Sequence, residues 1–301
     1  MAQRPIPAGI SMEGNRVLVT GAASGIGKAT ALVLADLGAD LVLCDLSPCD
    51  ATRDEAASRG ATVETKQGDL TDTAFMASLF AGDRLHAMAH CAGILMGRPW
   101  HEDRDWNTRF HRMMDVNVRV PLEIAHAATE HMAAHGGGHI VLVGSVAGKT
   151  GGTSLTTPPD YSASKGAVHA LVKWMSRNAV GRDVMVNAVA PGFISTDMTA
   201  VLSDDLKQKM LTNIPLSRFG AAEDIAEAED LLKTVLTDKS PPHLRLSYAR
   251  ALIDNQRIAL AKSQLQALNQ SHPDFADAWL LLGSLQMELP QMAQAEASLK
   301  R

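Results

Sequence analysis

The sequence predicts an α/β protein with a doubly wound parallel sheet, followed by a tail made only of helices. Through about residue 220, short apolar runs alternate with longer segments that carry apolar residues at helical spacing. This alternation favours parallel strands that helices cover on both faces, joined by right-handed crossovers. From about residue 228 onward the pattern is helical and contains no apolar β-run. We therefore expect an α/β domain at 1–226 and a helical segment at 227–301.

Five near-continuous apolar runs predict the strands of the sheet. Parallel strands that are buried on both faces need not alternate between apolar and polar residues. Between the runs, residues 27–38, 104–134 and 161–180 carry apolar residues at helical spacing. The predicted strands are RVLVT (16–20), DLVLCD (40–45), LHAMAHCAG (85–93), HIVLVGS (139–145) and VMVNAVAPG (184–192).

Charge and cysteine content exclude several classes of protein. The net charge is −5 and there is no basic stripe, so we expect neither nucleic acid nor an anionic membrane surface as a partner. The first 21 residues contain no apolar segment behind a basic leader, and no apolar run approaches the length of about 20 residues that spans a bilayer. We expect a soluble cytoplasmic protein. Cys44, Cys49 and Cys91 lack metal-ligand spacing, which predicts reduced thiols and no metal site.

A glycine-rich turn gives the first chemical signal. TGAASGIG places Gly21, Gly25 and Gly27 between a strand and a helix, where a pyrophosphate can approach the helix N-terminus closely. Ordinary turns can have the same composition. Asp45 ends the second strand, where a carboxylate can accept hydrogen bonds from ribose hydroxyls and would repel a 2′-phosphate; the alternative is a solvated strand end or a cap. Because no arginine or lysine follows closely, the sequence favours NAD over NADP.

A tyrosine and a lysine give the second signal. YSASK places Tyr161 and Lys165 four residues apart, on one face of a predicted helix. A free tyrosine loses its proton at about pH 10, and a neighbouring ammonium favours the phenolate. Tyr161 could then act as a general base towards an alcohol or as a general acid towards a carbonyl. Taken alone, this spacing is more often an ordinary helix surface.

Together the motifs resemble a known family, the classical short-chain dehydrogenases/reductases. The resemblance covers about the first 225 residues and implies a Rossmann-type sheet that binds a nicotinamide dinucleotide. The motifs that carry it are, in chain order, the glycine turn at 20–27, Asp45, GDL at 68–70, AG at 92–93, Asn117 in MDVNV, Ser145 in VGSVAG, YSASK at 161–165 and VNAVAPG at 186–192.

This resemblance implies four catalytic positions. Tyr161 would be the acid/base, Lys165 would lower its pKa and hold the ribose, and Ser145 would orient the substrate oxygen. Asn117 would anchor a water chain that relays protons from Lys165. Outside the family, Ser145 and Asn117 would be no more than a strand-end hydroxyl and a break inside a helix.

The resemblance also implies a set of cofactor-binding positions. In the family, the positions of Asp69 and Leu70 flank the adenine, and that of Thr196 holds the nicotinamide carboxamide. The full implied set is Gly21, Ser24, Gly25, Ile26, Gly27, Asp45, Asp69, Leu70, Ala92, Gly93, Tyr161, Lys165, Pro191, Gly192, Ile194 and Thr196.

Two features depart from the family pattern. His90 and Cys91 replace the two asparagines that usually precede AG, so the hydrogen bonds that brace the fourth strand must be made differently. The segment between Ser145 and Tyr161 is a few residues longer than usual and rich in glycine, threonine and proline, so we expect it to loop out over the substrate pocket.

The sequence predicts a reaction class and leaves the substrate open. Residues 189–220 resemble the 3-oxoacyl-carrier-protein reductase branch, but sugar-alcohol and hydroxysteroid relatives share that pattern. Asp45 also argues against a biosynthetic reductase, because such an enzyme would normally use NADPH. We therefore predict hydride exchange between NAD(H) and a secondary alcohol or ketone, of 3-oxoacyl or sugar-alcohol type.

The end of the chain departs from the family altogether. In the family, a further strand and a C-terminal loop would follow residue 226 and would complete the sheet and much of the subunit interface. Helical pattern follows here instead, so we predict a sheet that lacks its usual last strand, an incomplete family interface and a boundary near 226–229.

The helical segment has internal similarity. A shift of 34 residues places Tyr248 and Ala249 on Leu282 and Gly283, and likewise Ala261 on Ala295 and Leu265 on Leu299. These offsets resemble tetratricopeptide helix pairs, with units at 242–275 and 276–301. The alternative is a generic helical hairpin rich in alanine and leucine.

Two functions from different classes follow from these predictions. The first is an NAD-dependent oxidoreductase, with activity impaired if the missing strand matters, that acts on a small molecule. The alternative is a repeat-type protein-interaction module fused to a catalytically impaired NAD-binding scaffold. The helical tail could bind a protein partner in either case.

Overall fold

A computed structural model describes most of the chain. The described residues are 11–96, 105–152, 157–179, 181–196, 199, 204–212, 214, 217–226, 246, 249, 253 and 258–287. Contacts between Cα atoms divide the chain into two compact units, Met1–Ala226 and Glu227–Arg301.

The first unit is built on a parallel sheet. Its described strands lie in the order β3-β2-β1-β4-β5-β6, and every neighbouring pair is parallel. The predicted α/β class with a parallel Rossmann-type sheet is therefore confirmed. The strands are β1 Arg16–Thr20, β2 Asp40–Asp45, β3 Val63–Gln67, β4 Ala87–His90, β5 Gly138–Val143 and β6 Val184–Val189.

Strand β3 was not among the predicted runs. Its sequence is VETKQ, and none of its residues is fully buried. It pairs with β2 alone among the described strands, so it forms an edge of the sheet. Charged side chains are typical of an edge strand, and here Glu64 forms ion pairs with Arg16 and Lys66. A search for apolar runs misses such a strand because its exposed side is polar.

Helices cover both faces of the sheet, as a doubly wound fold requires. Consecutive strand residues contribute to different cores: Leu18 packs in a cluster with residues of α5 and α7, whereas Val17 and Val19 pack in a cluster with α1 and α2. The described helices of this unit are α1 Gly25–Asp36, α2 Asp50–Ser58, α3 Thr73–Ser78, α4 Trp106–Met114, α5 Val120–Ala134, α6 Ala147–Thr150, α7 Pro159–Asn178, α8 Asp204–Leu211 and α9 Ala222–Ala226.

A π-helical turn separates α4 from α5. It spans Asp115–Arg119 and contains Asn117, whose side chain is buried. Single π-helical turns inside α-helices often occur at functional sites. The extra residue in this turn places Asn117 against the end of β4.

The segment after β6 returns to the first helix. Ile194 forms a parallel bridge with Gly220 and packs in a small apolar cluster with Ala29 of α1 and Ala222 of α9. In the described part of the first unit, the sheet ends at β6. The predicted loss of a further strand remains a prediction, because residues 227–245 and 288–301 lie outside the described residues.

The described residues of the second unit are helical except for a turn at 272–275. Its regular helices are α10 Ile258–Ser271 and α11 Ala276–Met287, which pack through Leu265, Leu268 and Leu282. The tetratricopeptide resemblance stays a prediction. Tyr248, Ala295 and Leu299, on which it partly rests, lie outside the described residues.

A search for membrane-spanning segments was negative. Within the described residues, no helix combines the length and the apolar composition that crossing a bilayer requires.

Neutral histidines brace the fold around β4, and this predicts acid sensitivity. Burial lowers the pKa of His90 to about 3, and it also lowers the pKa of His86 and of His131. The Nδ1 of His86 accepts a hydrogen bond from the backbone of Arg16, and Nε2 of His131 accepts one from the backbone of Leu85. Protonation of either acceptor nitrogen would break its bond.

We expect the free energy of unfolding to fall on acidification below pH 6.5. In the unfolded chain these histidines take up protons near pH 6.5. In the folded chain their pKa values are lower, so the unfolded state binds more protons below pH 6.5. The stabilisation is complete above about pH 6.5 and is lost progressively towards pH 3, at a cost on the order of a few kcal/mol. Urea unfolding of the full chain at pH 7.5 and pH 5 measures it. His90→Asn should reduce the difference and exposed His126→Gln should not; equal pH dependence in both variants would contradict the assignment.

Candidate active site

The predicted site residues gather at the carboxyl edge of the sheet. Parallel strands all end at this edge, and the strand order reverses between β1 and β4, where open α/β sheets bind their ligands. Thr20, Asp45 and His90 end β1, β2 and β4, and Ser145 and Pro191 follow β5 and β6 closely.

The glycine turn is shaped by close backbone contacts. A Cβ at Gly27 would lie 2.0 Å from the carbonyl oxygen of Gly21, and a Cβ at Gly21 would lie 2.7 Å from the backbone nitrogen of Ala92. Gly25 has a φ of +55°, and its Cβ position is 3.3 Å from Cγ2 of Thr196. The turn therefore lies against the backbone after β4 and the Thr196 side chain after β6, and it carries no side chain of its own at these contacts.

Asp45 fastens this turn. Its Oδ2 accepts a hydrogen bond from the backbone N–H of Ala23 at 3.0 Å, and its Oδ1 accepts one from the backbone N–H of Ser47 at 2.9 Å. The carboxylate thus lies between the glycine turn and the segment after β2. A carboxylate oxygen has a second lone pair, so Asp45 can still accept a hydrogen bond from a ligand hydroxyl.

Asn117 connects three segments. Its Oδ1 accepts the backbone N–H of Ile94 at 2.9 Å, and its Nδ2 donates to the carbonyl of Ile94 at 2.8 Å and to Oγ of Ser164 at 3.2 Å. The amide orientation follows from this network. Asn117 therefore holds the segment after β4 against α7.

Lys165 points into the same region. Its Nζ donates to the carbonyl of Val143 at 2.9 Å, and a Cβ at Gly93 would lie 3.4 Å from this nitrogen and 3.3 Å from Oδ1 of Asn117. Burial lowers the pKa of Lys165 to about 8. Its Nζ lies 5.9 Å from the centre of the Tyr161 ring.

Tyr161 and Ser145 share a hydrogen bond between their side chains. Burial raises the pKa of Tyr161, and the hydrogen bond with Ser145 opposes that effect. The role of Lys165 in lowering the pKa of Tyr161 stays a prediction. The four predicted catalytic residues are nevertheless brought together.

Some predicted cofactor-binding residues make other contacts. Ile194 and Leu70 are buried among apolar side chains, so only their backbone groups could face a ligand. The carboxylate of Asp69 contacts Thr71 and Arg112. Asp69 still lies at the carboxyl edge, because the backbone N–H of nearby Gly68 donates to the carbonyl of Asp45.

His90 braces the fourth strand in place of the asparagine that the family usually has. Its Nδ1 lies 2.8 Å from Oγ1 of Thr20, directly across from it on β1. The backbone of Cys91 also donates to the carbonyl of Thr20 at 3.2 Å. Burial raises the pKa of the Cys91 thiol to about 12, which keeps it protonated.

No motif in the sequence indicates the buried ion pair that lies beside Tyr161. Nη1 of Arg109 in α4 lies 3.2 Å from Oδ2 of Asp160 in α7, and it also donates to the carbonyl of Met96 at 2.9 Å. Both charged side chains are almost fully buried. The two residues lie on different helices and in no common motif, so the contact could not be predicted from the sequence. The pair holds α4, the segment after β4 and the first turn of α7 together.

The geometry agrees with a comparison against protein families. The family of short chain dehydrogenases matches residues 15–207. The chain belongs to the short-chain dehydrogenase family. The expected family resemblance is therefore confirmed for this part of the chain, and the short-chain dehydrogenases are oxidoreductases. Among the described residues, no group of three or more His, Cys, Asp and Glu side chains could hold a metal ion.

Curated short-chain dehydrogenases resemble this chain over most of their length. The 3-oxoacyl-[acyl-carrier-protein] reductase FabG of Thermotoga maritima is 34% identical over 227 residues, which cover 72% of this chain and 89% of the relative. The 2-dehydro-3-deoxy-D-gluconate 5-dehydrogenase of Pseudoalteromonas atlantica is 33% identical over 226 residues, covering 71% and 86%.

Solved structures of the family share the fold. A structure from Agrobacterium tumefaciens, assigned as a 2-deoxy-D-gluconate 3-dehydrogenase with bound NADP, has 31% identity and a TM-score of 0.68, covering 74% of this chain and 89% of that one. A 7α-hydroxysteroid dehydrogenase complexed with NADH and 7-oxo glycochenodeoxycholic acid has 27% identity and a TM-score of 0.67, covering 74% and 88%.

Proposed function

We propose that this short-chain dehydrogenase transfers a hydride between a nicotinamide dinucleotide and a secondary alcohol or ketone. The observation that carries the proposal is the joint placement of Ser145, Tyr161, Lys165 and Asn117 at the carboxyl edge of the sheet. A hydrogen bond joins Ser145 to Tyr161, and Gly93 brings Asn117 close to Lys165. This is an arrangement for moving one proton at a substrate oxygen.

The residues present fit a dinucleotide. Side chains at Gly21 and Gly27 would fill the space between the glycine turn and its neighbours, and the N-terminus of α1 offers backbone N–H groups for a pyrophosphate. When bound, the nicotinamide cofactor supplies or accepts the hydride. Asp45 would receive the ribose hydroxyls, and Thr196 would lie on the nicotinamide side of the turn.

The chain's own residues would manage the proton. Ser145 would donate a hydrogen bond to the substrate oxygen and hold it beside the hydroxyl of Tyr161. Tyr161 would donate its proton to that oxygen in reduction and accept it in oxidation. Lys165 in its ammonium form would favour the phenolate. Asn117, fixed by Ile94 and Ser164, would anchor the route by which a proton reaches Lys165.

NAD is the cofactor that Asp45 favours. A fixed carboxylate at the end of β2 accepts the ribose 2′-hydroxyl and repels a 2′-phosphate. The two similar structures contain NADP in one case and NADH in the other, so family membership alone does not select between them. The preference for NAD rests on Asp45 and on its fixed position between Ala23 and Ser47.

We expect NADH to bind more tightly than NADPH by about tenfold or more, because the 2′-phosphate would meet the like charge of Asp45 and a tenfold ratio needs only about 1.4 kcal/mol. Titration of nicotinamide fluorescence with both cofactors measures the ratio. Asp45→Ser should reduce the ratio, because NADH would lose a hydrogen-bond acceptor and NADPH would no longer be repelled. Asp40→Ser at the start of β2 should leave the ratio unchanged. Tighter NADPH binding by the unaltered chain would overturn the assignment.

The relatives suggest two substrate classes. Their names describe a 3-oxoacyl-carrier-protein reductase and a dehydrogenase of a deoxygluconate, so we propose a 3-oxoacyl or a sugar-acid or sugar-alcohol substrate. A screen of both classes with saturating NADH or NAD would separate them. Turnover on either class supports the proposed reaction.

The remaining expectations concern the tail and the setting of the enzyme. An interaction module on a catalytically silent scaffold is less well supported, because the four catalytic positions are filled and gathered. The following remain predictions: binding of a protein partner by residues 227–301, the tetratricopeptide nature of those residues, domain limits at 1–226 and 227–301, an oligomer with an incomplete family interface, and a cytoplasmic location.

A further inference from the structure

The backbone of Ser145 needs a hydrogen-bond acceptor beyond the sheet. The N–H of Gly144 donates to the carbonyl of Val189 at 2.8 Å, and the N–H of Val146 donates to that of Pro191 at 2.9 Å. Successive N–H groups of an extended chain point to opposite sides, so the N–H of Ser145 points away from β6. On that side β4 pairs with β5 only as far as Leu142, which leaves no strand acceptor at Ser145.

His169 of α7 provides this acceptor. The N–H of Ser145 donates to Nε2 of His169 at 3.4 Å. The imidazole also packs on Gly144, where a Cβ would lie 2.4 Å from Nε2 and 2.7 Å from Cδ2. A side chain at residue 144 would therefore push the imidazole away. Glycine at this position is what allows the ring to reach the backbone of Ser145.

A second glycine contact docks the same segment on α7. A Cβ at Gly148 of α6 would lie 2.5 Å from the carbonyl carbon of Lys165 and 2.6 Å from the backbone nitrogen of Gly166. The chain on both sides of Ser145 thus touches α7 closely. His169 lies one helical turn after Lys165 and two turns after Tyr161, so it belongs to the same side of that helix.

We infer that His169 is a positioning residue that fixes Ser145 against Tyr161 and makes that placement depend on pH. The inference rests on the proposed function, since it concerns how Ser145 is presented to the substrate. His169 acts through the backbone of Ser145. To accept the N–H, its Nε2 must be unprotonated, which requires the neutral tautomer with hydrogen on Nδ1.

The surroundings of His169 keep it neutral at pH 7. Burial lowers its pKa, and so do the ammonium groups of Lys149 from α6 and of Lys165 and Lys173 from its own helix. The residue after β5, Gly144, presents its backbone to the ring. Acidification below about pH 6.5 therefore leads towards a protonated ring, in which Nε2 becomes a donor that faces another donor.

Nuclear magnetic resonance of the full chain tests the contact without a substrate. Long-range ¹H–¹⁵N spectra report which imidazole nitrogen carries the proton, and the signals of His169 are those lost in His169→Gln. At pH 7.5 we expect a protonated Nδ1 and a bare Nε2. On acidification, the amide signal of Ser145 should shift with the midpoint of His169. A protonated Nε2 at pH 7.5, or a Ser145 amide signal that does not shift as His169 titrates, would overturn the inference.

Kinetics of three variants test the consequence. His169→Leu removes the acceptor and should lower kcat about tenfold or more, because small displacements of a catalytic group are costly, with the Kd for NADH within about twofold. His169→Gln offers an amide oxygen in its place and should recover most of kcat while losing the acid limb of the pH profile. His126→Leu, on the exposed side of α5, is the control and should match the unaltered chain.

The outcomes separate this inference from the proposed function. Equal loss of kcat in His169→Leu and His169→Gln, or an acid limb that survives in His169→Gln, would overturn the positioning role. An unaltered chain that turns over neither substrate class would overturn the proposed function, while the resonance experiment would still decide whether His169 holds Ser145. That experiment observes the unaltered chain and uses His169→Gln only to assign the signals, so it does not depend on turnover by any variant.

Discussion

Tyr161→Phe should lower kcat by about 10²–10⁴-fold while the Kd for NADH changes little. The substitution removes the hydroxyl that exchanges a proton with the substrate oxygen, and general acid–base catalysis contributes a factor of this size. The ring remains, so its packing beside Lys165 is retained. Steady-state turnover and fluorescence titration of NADH measure the two effects separately.

The other tyrosine of the chain gives a matched control. Tyr248→Phe makes the same chemical change in the helical segment and should leave kcat unaltered. Turnover by Tyr161→Phe at more than about a tenth of the unaltered rate would remove Tyr161 from its proposed role. A variant that loses NADH binding together with kcat would indicate a damaged site, and a thermal melt would show whether the fold had changed.

Gly27→Ala should nearly abolish NADH binding and should also lower the melting temperature. Its new Cβ would lie 2.0 Å from the carbonyl oxygen and 2.6 Å from the carbonyl carbon of Gly21. Both atoms belong to the backbone, so the first turn of α1 must shift away from the glycine turn. Overpacking of this kind costs about 1–3 kcal/mol or more. The shift would open the space in which the pyrophosphate is expected to lie.

A different glycine shows whether the effect is local. At Gly82 a new Cβ would meet only Nη1 of Arg16 at 3.7 Å, an ordinary contact with the end of a flexible side chain. Gly82→Ala should therefore bind NADH as the unaltered chain does. If Gly27→Ala binds NADH within about threefold of the unaltered chain, the glycine turn is not the pyrophosphate site, since that ratio is well under 1 kcal/mol.

Apolar patterning predicted the central strands well and their ends less well. Strands β1 and β2 coincide with the predicted runs because all but their end residues are buried on both faces. The run at 85–93 is longer than β4, which ends at His90. Residues 91–93 are small or apolar because they lie against the glycine turn, not because they pair with a strand. Pattern alone cannot separate these two reasons.

The site was predictable only where its residues form compact motifs. YSASK and the glycine turn each act within one stretch of sequence, and Asn117 and Ser145 were found through a family resemblance. The contact between Arg109 and Asp160 and the contact between His169 and Ser145 each join residues from different motifs or elements. These contacts arise only when α4, β5 and α7 pack together, so they depend on the folded structure.

The close approach of Gly148 to α7 bears on how this enzyme could change its specificity. Because backbone meets backbone there, a larger side chain at residue 148 would push α6 away from α7. Ser145 lies three residues before Gly148, so such a change would also disturb the placement of Ser145 relative to Tyr161. Residues 153–156 lie outside the described residues, and the expected extra length between Ser145 and Tyr161 stays a prediction. We therefore expect a change of substrate preference to arise outside α6, where the choice of substrate can vary while the reacting groups stay in place.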